Sequence, residues 1–301
     1  LHTFKPDNLL SSDKIENVPY QKREISDYQY KMLKRLELDY RDFQQLKELC
    51  ESLNLDFLST PYDIESVMLL KKLGVKTVKI ASADIVNKQL IDCILNEDLD
   101  IILSAGMASY DEISRTVNYI LDKKIETNLS LLHCTTSYPT KPDDVNMEVM
   151  SKLKNDYKDR ALIGYSDHTE GNEVSIMAIS LGAKIIEKHF TLDKNMEGPD
   201  HFASAEPEEM KALVYAIRNI EKAFGSDKKD LTDVEKVNIK YMRRSIHASK
   251  NIEKGQIIKA SDITITRPYD GLSAWDYEEV IGKETLKDID KGNPIKRSDL
   301  N

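Results

Sequence analysis

The feature that most constrains this chain is a recurrence between residues 40 and 225: an amphipathic helical stretch, a turn, then a short apolar run. The periodicity predicts helices over 42–53, 64–73, 88–96, 110–123, 145–154, 171–181 and 207–224. Between them stand the strand candidates LDFLST, TVKIASAD, LDIILSAG, LSLLHCTTS, ALIGYSDHT and AKIIEKHFT, each a short, often β-branched run ending in small polar residues. Strands buried on both faces read this way. Their alternation with helices implies a parallel sheet with right-handed crossovers.

An open doubly wound sheet is one solution, and a closed barrel is the other. No strand is followed by the GxGxxG turn of a dinucleotide sheet. Polar candidates also stand at the C-terminal end of every strand, where an open sheet would gather them at one switch point. The expected fold class is therefore α/β, a (β/α)8 TIM-type barrel. The opening LHTF reads as the tail of a further strand, so the barrel is expected to be N-terminally truncated here. Residues 1–226 form the expected catalytic barrel and 227–244 a charged linker, helical or extended. Residues 245–301, with their KGQ and KGN turns, form a small β-rich module whose core is meagre.

Charge narrows the partners. A formal net charge of −9 lacks the basic footprint of nucleic-acid binding, while a few focused cations or a metal still allow an anionic substrate. No apolar run approaches the roughly 18–20 residues of a membrane span, and no secretory signal opens the chain. Cys50, Cys93 and Cys134 form no CxxC pair, so neither a disulfide framework nor a zinc knuckle is indicated. The expected location is cytoplasmic.

The chemistry-bearing residues lie at strand ends. Ser59 and Thr60 close the first candidate. On the next, Lys79 points away from its apolar neighbours Val78 and Ile80, into the barrel, where burial demands an anionic partner; Ser82 and Asp84 follow it. Ser104 and Gly106 close the third, and the glycine permits close backbone approach to a ligand. Thr135, Thr136, Ser137 and Tyr138 close the fourth, and Ser166 the fifth. One such hydroxyl is usually a helix cap, but a hydroxyl at nearly every strand end suits a ring of donors around an anion. His168 and His189 end successive strands, so their rings can meet at the barrel mouth and share a divalent ion. The loop GPDHFASAEP brings Asp200, His201 and Ser204 nearby. His133 reads as structural, and His2 and His247 show no clear partners.

In order, TFKPD, STPYD, VKIASAD, LSAGM, LLHCTTSYPT, IGYSDHT, EKHFT and GPDHFASAEP resemble the N-acetylneuraminate (sialic acid) synthase family. Residues 245–301 resemble its C-terminal antifreeze-protein-like (SAF, β-clip) domain. The resemblance implies condensation of phosphoenolpyruvate with an open-chain amino-sugar aldehyde, N-acetylmannosamine first, with legionaminic- or pseudaminic-type synthesis as the alternative. It implies phosphoenolpyruvate contacts from Lys79, Ser82, Ser104, Thr136 and Ser166, where Thr136 stands for a common asparagine and His2 for a common glutamine. It assigns His168 and His189 to a divalent metal, Mn²⁺ first and Mg²⁺ or Co²⁺ as options. Tyr138, Asp84 and Asp200 match sugar-contacting positions, and Thr60 an active-site loop. Lys79, Tyr138, His168 and His189 would carry catalysis. Arg267 matches an arginine that the SAF domain lays over the partner's site, which implies a domain-swapped homodimer. A pyruvate aldolase and a truncated non-catalytic sugar-phosphate-binding paralogue are the competing classes.

Overall fold

The computed structural model describes residues 1–18, 28–123 and 127–301. They form two compact units, Leu1–Phe224 and Gly225–Asn301.

The first unit carries the strands β1 (His2–Thr3), β2 (Thr60–Pro61), β3 (Thr77–Ile80), β4 (Asp100–Ser104), β5 (Leu129–Cys134), β6 (Leu162–Asp167) and β7 (Ile186–Lys188). Its helices are α1 (Pro6–Leu9), α2 (Gln29–Leu36), α3 (Tyr40–Ser52), α4 (Ile64–Lys72), α5 (Lys88–Asn96), α6 (Tyr110–Lys123), α7 (Pro142–Val145), α8 (Glu148–Tyr157), α9 (Glu173–Ser180) and α10 (Pro207–Phe224). β1 pairs in parallel with β2, and β3 to β7 pair in parallel in chain order. The Lys79 amide donates to the Ser59 carbonyl at 3.1 Å, carrying the series from β2 to β3. The result is a curled parallel half-barrel of TIM type, so the predicted tail of a further strand is real: it is β1 on β2.

Alternation along each strand sorts the side chains. Val78, Ile80, Ile101, Leu103, Leu131, Ile163 and Tyr165 face the helices and pack with Val67, Leu70, Ile91, Ile94, Val117, Ile120, Met150 and Leu153 in one core. The intervening Lys79, Ser104, Cys134, Ser166 and Glu187 face the opposite side. α3 begins at Tyr40, before the predicted position 42, because Asp39 and Asp42 form a reciprocal cap. The helix predicted over 145–154 is two, α7 and α8, interrupted where Asn146 takes a left-handed conformation (φ 49°). Proline at the start of α7 pre-sets its first turn. No described helix is long and apolar enough to cross a membrane.

In the second unit, α11 (Asp233–Met242), the helical part of the predicted linker, is followed by β8 (Ser245–Ala248) and β9 (Ile263–Thr266), paired antiparallel. The core comprises Ile246, Ala248, Ile252, Ile258, Ile263, Val280, Ile289, Ile295 and Leu300. Two turns are built alike, from KGQIIKASDI at 254–263 and KGNPIKRSDL at 291–300. In each a buried aspartate, Asp262 or Asp299, accepts from the amide of Lys259 or Lys296 at 3.0 Å. A lysine from outside the turn, Lys250 or Lys287, reaches its other oxygen at 2.8 Å.

Candidate active site

The C-terminal ends of the strands enclose a cavity of about 180 Å³. Lys79, Ser82, Ser104, Thr136, Tyr138, Ser166, His168, His189 and Asp200 all line it. Thr60 and Asp84, also expected in the site, do not line it. Thr60 is buried in β2, its backbone paired with His2. Asp84 lies on the short 3₁₀ turn after β3, where its Oδ1 accepts from the side-chain Nδ2 of Asn87 at 2.9 Å. Arg267, expected over a partner's site, is exposed on the second unit.

One wall carries a lysine, a carboxylate and several hydroxyls. Lys79 is largely buried, its ammonium 3.3 Å from Glu187 Oε1. Ser166 donates to the same oxygen at 2.7 Å. Burial alone would raise the Glu187 pKa, but the Lys79 charge and the Ser166 bond outweigh it and hold the carboxyl below its usual value. Beside this pair, Ser104 Oγ and Thr136 Oγ1 are buried with no hydrogen-bond partner among the described residues. Buried hydroxyls are rarely left so, and a ligand oxygen would satisfy both. Gly106 completes the cradle: its amide donates to Ser82 Oγ at 3.0 Å. A Cβ there would collide with Thr136 Oγ1 and lie 2.7 Å from Ser82 Oγ.

The opposite wall is aromatic and basic. The rings of His168 and His189 lie 5.2 Å apart, and Tyr138 packs against both at 4.3 and 5.5 Å. His168 Nδ1 meets the Thr135 carbonyl at 3.0 Å. A carbonyl only accepts, so Nδ1 carries the proton and Nε2 keeps a free lone pair. Burial lowers the pKa of His168 to about 4 and lowers that of His189 as well, so both imidazoles are neutral at pH 7. Asp200 Oδ2 stands 3.9 Å from His189 Nδ1, and burial raises its pKa. His201 and Ser204 shape the loop instead, bonding Thr191 Oγ1 and the Asp200 carbonyl, each at 2.7 Å.

Sequence reasoning missed Glu187, although it lies two residues before His189 and so shares its face of β7. It also left His2 without partners. His2 lines the cavity edge-on to Tyr62 and is exposed there. His133 bonds the Val145 carbonyl on the helix side, and His247 bonds Asp270 within the second unit.

A half-barrel of TIM type with an anion cradle and paired imidazoles at its strand ends defines a barrel enzyme of the synthase kind. The comparisons make this particular. Residues 1–229 match the NeuB family and residues 243–301 the SAF domain, and the chain belongs to the NeuB family. It is 42% identical to the N,N'-diacetyllegionaminic acid synthase of Campylobacter jejuni, over 98% of this chain and 88% of that protein. It is 33% identical to a pseudaminic acid synthase of the same species, over 100% and 87%. Among solved structures, the N-acetylneuraminic acid synthetase of Leptospira borgpetersenii, determined with citrate, superposes with a TM-score of 0.65 at 38% identity, covering 70% of this chain and 72% of that one.

Enzymes of this family are metal-dependent. The donor set here fits a divalent ion in part: two neutral imidazoles on neighbouring strand ends, one with its free nitrogen fixed by a backbone bond. Among the described residues no group of three His, Cys, Asp or Glu side chains is arranged around one ion.

Proposed function

We propose that this chain condenses phosphoenolpyruvate with the aldehyde of an N-acyl amino sugar, giving a nonulosonic acid and inorganic phosphate. The acceptor favoured is a 2,4-diacetamido-6-deoxyhexose, giving a legionaminic-type acid. This prefers the alternative sugar over N-acetylmannosamine, because the legionaminic acid synthase of Campylobacter jejuni matches this chain over nearly its whole length at 42% identity. The observation that carries the reaction class is the cradle of Lys79, Gly106 and two unpartnered hydroxyls facing a pair of neutral imidazoles across one cavity.

In this reading Lys79 and the hydroxyls of Ser82, Ser104, Thr136 and Ser166 hold the phosphate and carboxylate of phosphoenolpyruvate. Charge-assisted bonds to partly buried groups are strong and fix orientation. His168 and His189 would hold the ion, Mn²⁺ first, which when bound supplies Lewis-acid polarisation of the sugar carbonyl. Tyr138 covers both imidazoles and, with Asp200, faces the sugar. Carbon 3 of phosphoenolpyruvate attacks the aldehyde carbon, water adds at carbon 2, and the tetrahedral carbon expels phosphate by C–O cleavage. The SAF unit of a second copy would bring Arg267 over the site in a domain-swapped homodimer.

The test is incubation of the complete protein with Mn²⁺, phosphoenolpyruvate and each sugar, following released phosphate and product mass. Phosphate release and product with the diacetamido sugar, faster than with N-acetylmannosamine, is expected. Product formed from pyruvate without phosphate release would overturn the reaction class, and preference for N-acetylmannosamine would overturn the acceptor.

A further inference from the structure

Behind the two imidazoles, on the helix-facing side of β6 and β7, lies a buried ion pair. Lys188 Nζ stands 2.9 Å from Asp167 Oδ2, with side chains 4% and 0% exposed. Asp167 immediately precedes His168, and Lys188 immediately precedes His189. The two are register partners and the last pair of the β6–β7 ladder, so the histidines follow just where the ladder ends. Beyond that point the carbonyl of His168 accepts from the Thr140 amide and that of His189 from the Ala205 amide, each at 2.8 Å. The two histidines are thus tied to different segments.

The carboxylate of Asp167 is fully engaged. Its Oδ1 accepts from the amide and the hydroxyl of Thr169, each at 2.8 Å. Its Oδ2 accepts from Ser175 Oγ on α9 as well as from Lys188. Lys188 donates a second bond to the Thr169 carbonyl at 2.8 Å. The residues flanking His168 are therefore bound to each other and to the residue before His189.

We infer that Asp167 and Lys188 are positioning residues that fix the spacing and orientation of His168 and His189, and so set the affinity of the divalent-ion site. This rests on the metal reading proposed above. Neither side chain faces the cavity, so neither touches substrate. A buried pair is by itself a weak stabiliser, and a merely structural role would lower the melting temperature without changing ion affinity in the folded protein. Loss of partners behind metal ligands typically weakens binding about 10–100-fold.

The experiment titrates Mn²⁺ into the metal-stripped complete protein, reads the free ion by electron paramagnetic resonance, and records thermal melting alongside. Lys188→Met leaves a buried unpaired carboxylate, so the neutral double variant Asp167→Asn/Lys188→Met and the mild Ser175→Ala accompany it. Folded variants lacking the pair should bind Mn²⁺ about 10–100-fold more weakly, and Ser175→Ala a few-fold more weakly. A folded variant lacking the pair, with a Kd within twofold of the parent, overturns the inference. If neither charge variant folds, an unchanged Kd in Ser175→Ala overturns it. A parent that holds no Mn²⁺ sinks the metal reading itself, a result distinct from tight parent binding that the variants share.

Discussion

Lys79 can lie buried on its strand because Glu187 answers its charge at 3.3 Å. Replacing Glu187 by Gln removes a carboxylate from an anion site and frees the ammonium it holds. Phosphoenolpyruvate should bind as well or more tightly, while kcat falls about tenfold to a hundredfold because a misplaced contact is costly at the reacting centre; KM and kcat measured separately check this. Burial also sets a pH dependence. His168 stays neutral in the fold down to about pH 4, while the unfolded chain protonates it near 6.5. Between those values only the unfolded chain takes up this proton. Stability of the metal-free protein should be full above pH 6.5 and decline toward pH 4, by at most about 1.4 kcal/mol per pH unit, as denaturant midpoints would report. Lys79 was legible because alternation on a strand fixes the face of each side chain, and His168 and His189 because they end successive strands. Asp84 was not, because past the last ladder bond position in the chain no longer says which way a side chain turns, and Thr60 was not, because a two-residue strand shows no alternation to read. Glu187 escaped notice because an acid beside Lys188 in EKHFT reads as a solvated charge pair until strand pairing sets it opposite Lys79.

At the level of elements, the recurrence in the chain announced the half-barrel, since buried parallel strands and amphipathic helices differ in period. The division of 142–157 into α7 and α8 was hidden: the apolar pattern runs across Asn146, and only its left-handed backbone breaks the helix. The twin turns of the second unit offer a matched test. Asp262 and Asp299 are each buried, amide-bonded and paired with one lysine. Alanine at either position strands an amide and removes the lysine's partner, so each should cost about 1–3 kcal/mol. Hydrogen exchange at the Ile246 and Ile263 amides should accelerate by similar factors in both. Unequal effects would mean the two turns are alike in geometry only.

For the whole molecule, the proposed exchange of SAF units makes a demand that single chains cannot meet. Arg267→Ala should raise the KM for the amino sugar more than that for phosphoenolpyruvate. A chain carrying Arg267→Ala mixed with one carrying His168→Ala should regain activity, because a mixed dimer rebuilds one intact site; random pairing gives about a quarter of the parent rate. Steady-state assay of the mixture against each variant alone checks it, and no regain would mean each site takes its arginine, if any, from its own chain. The two faces of β6 and β7 carry a longer consequence. Imidazoles look inward, while the Asp167–Lys188 pair bracing them is shut away against α9. Evolution is then free to reshape the sugar side of the cleft without loosening the grip on the ion. Relatives named for legionaminic, pseudaminic and N-acetylneuraminic acids are what a lineage with such freedom would leave behind.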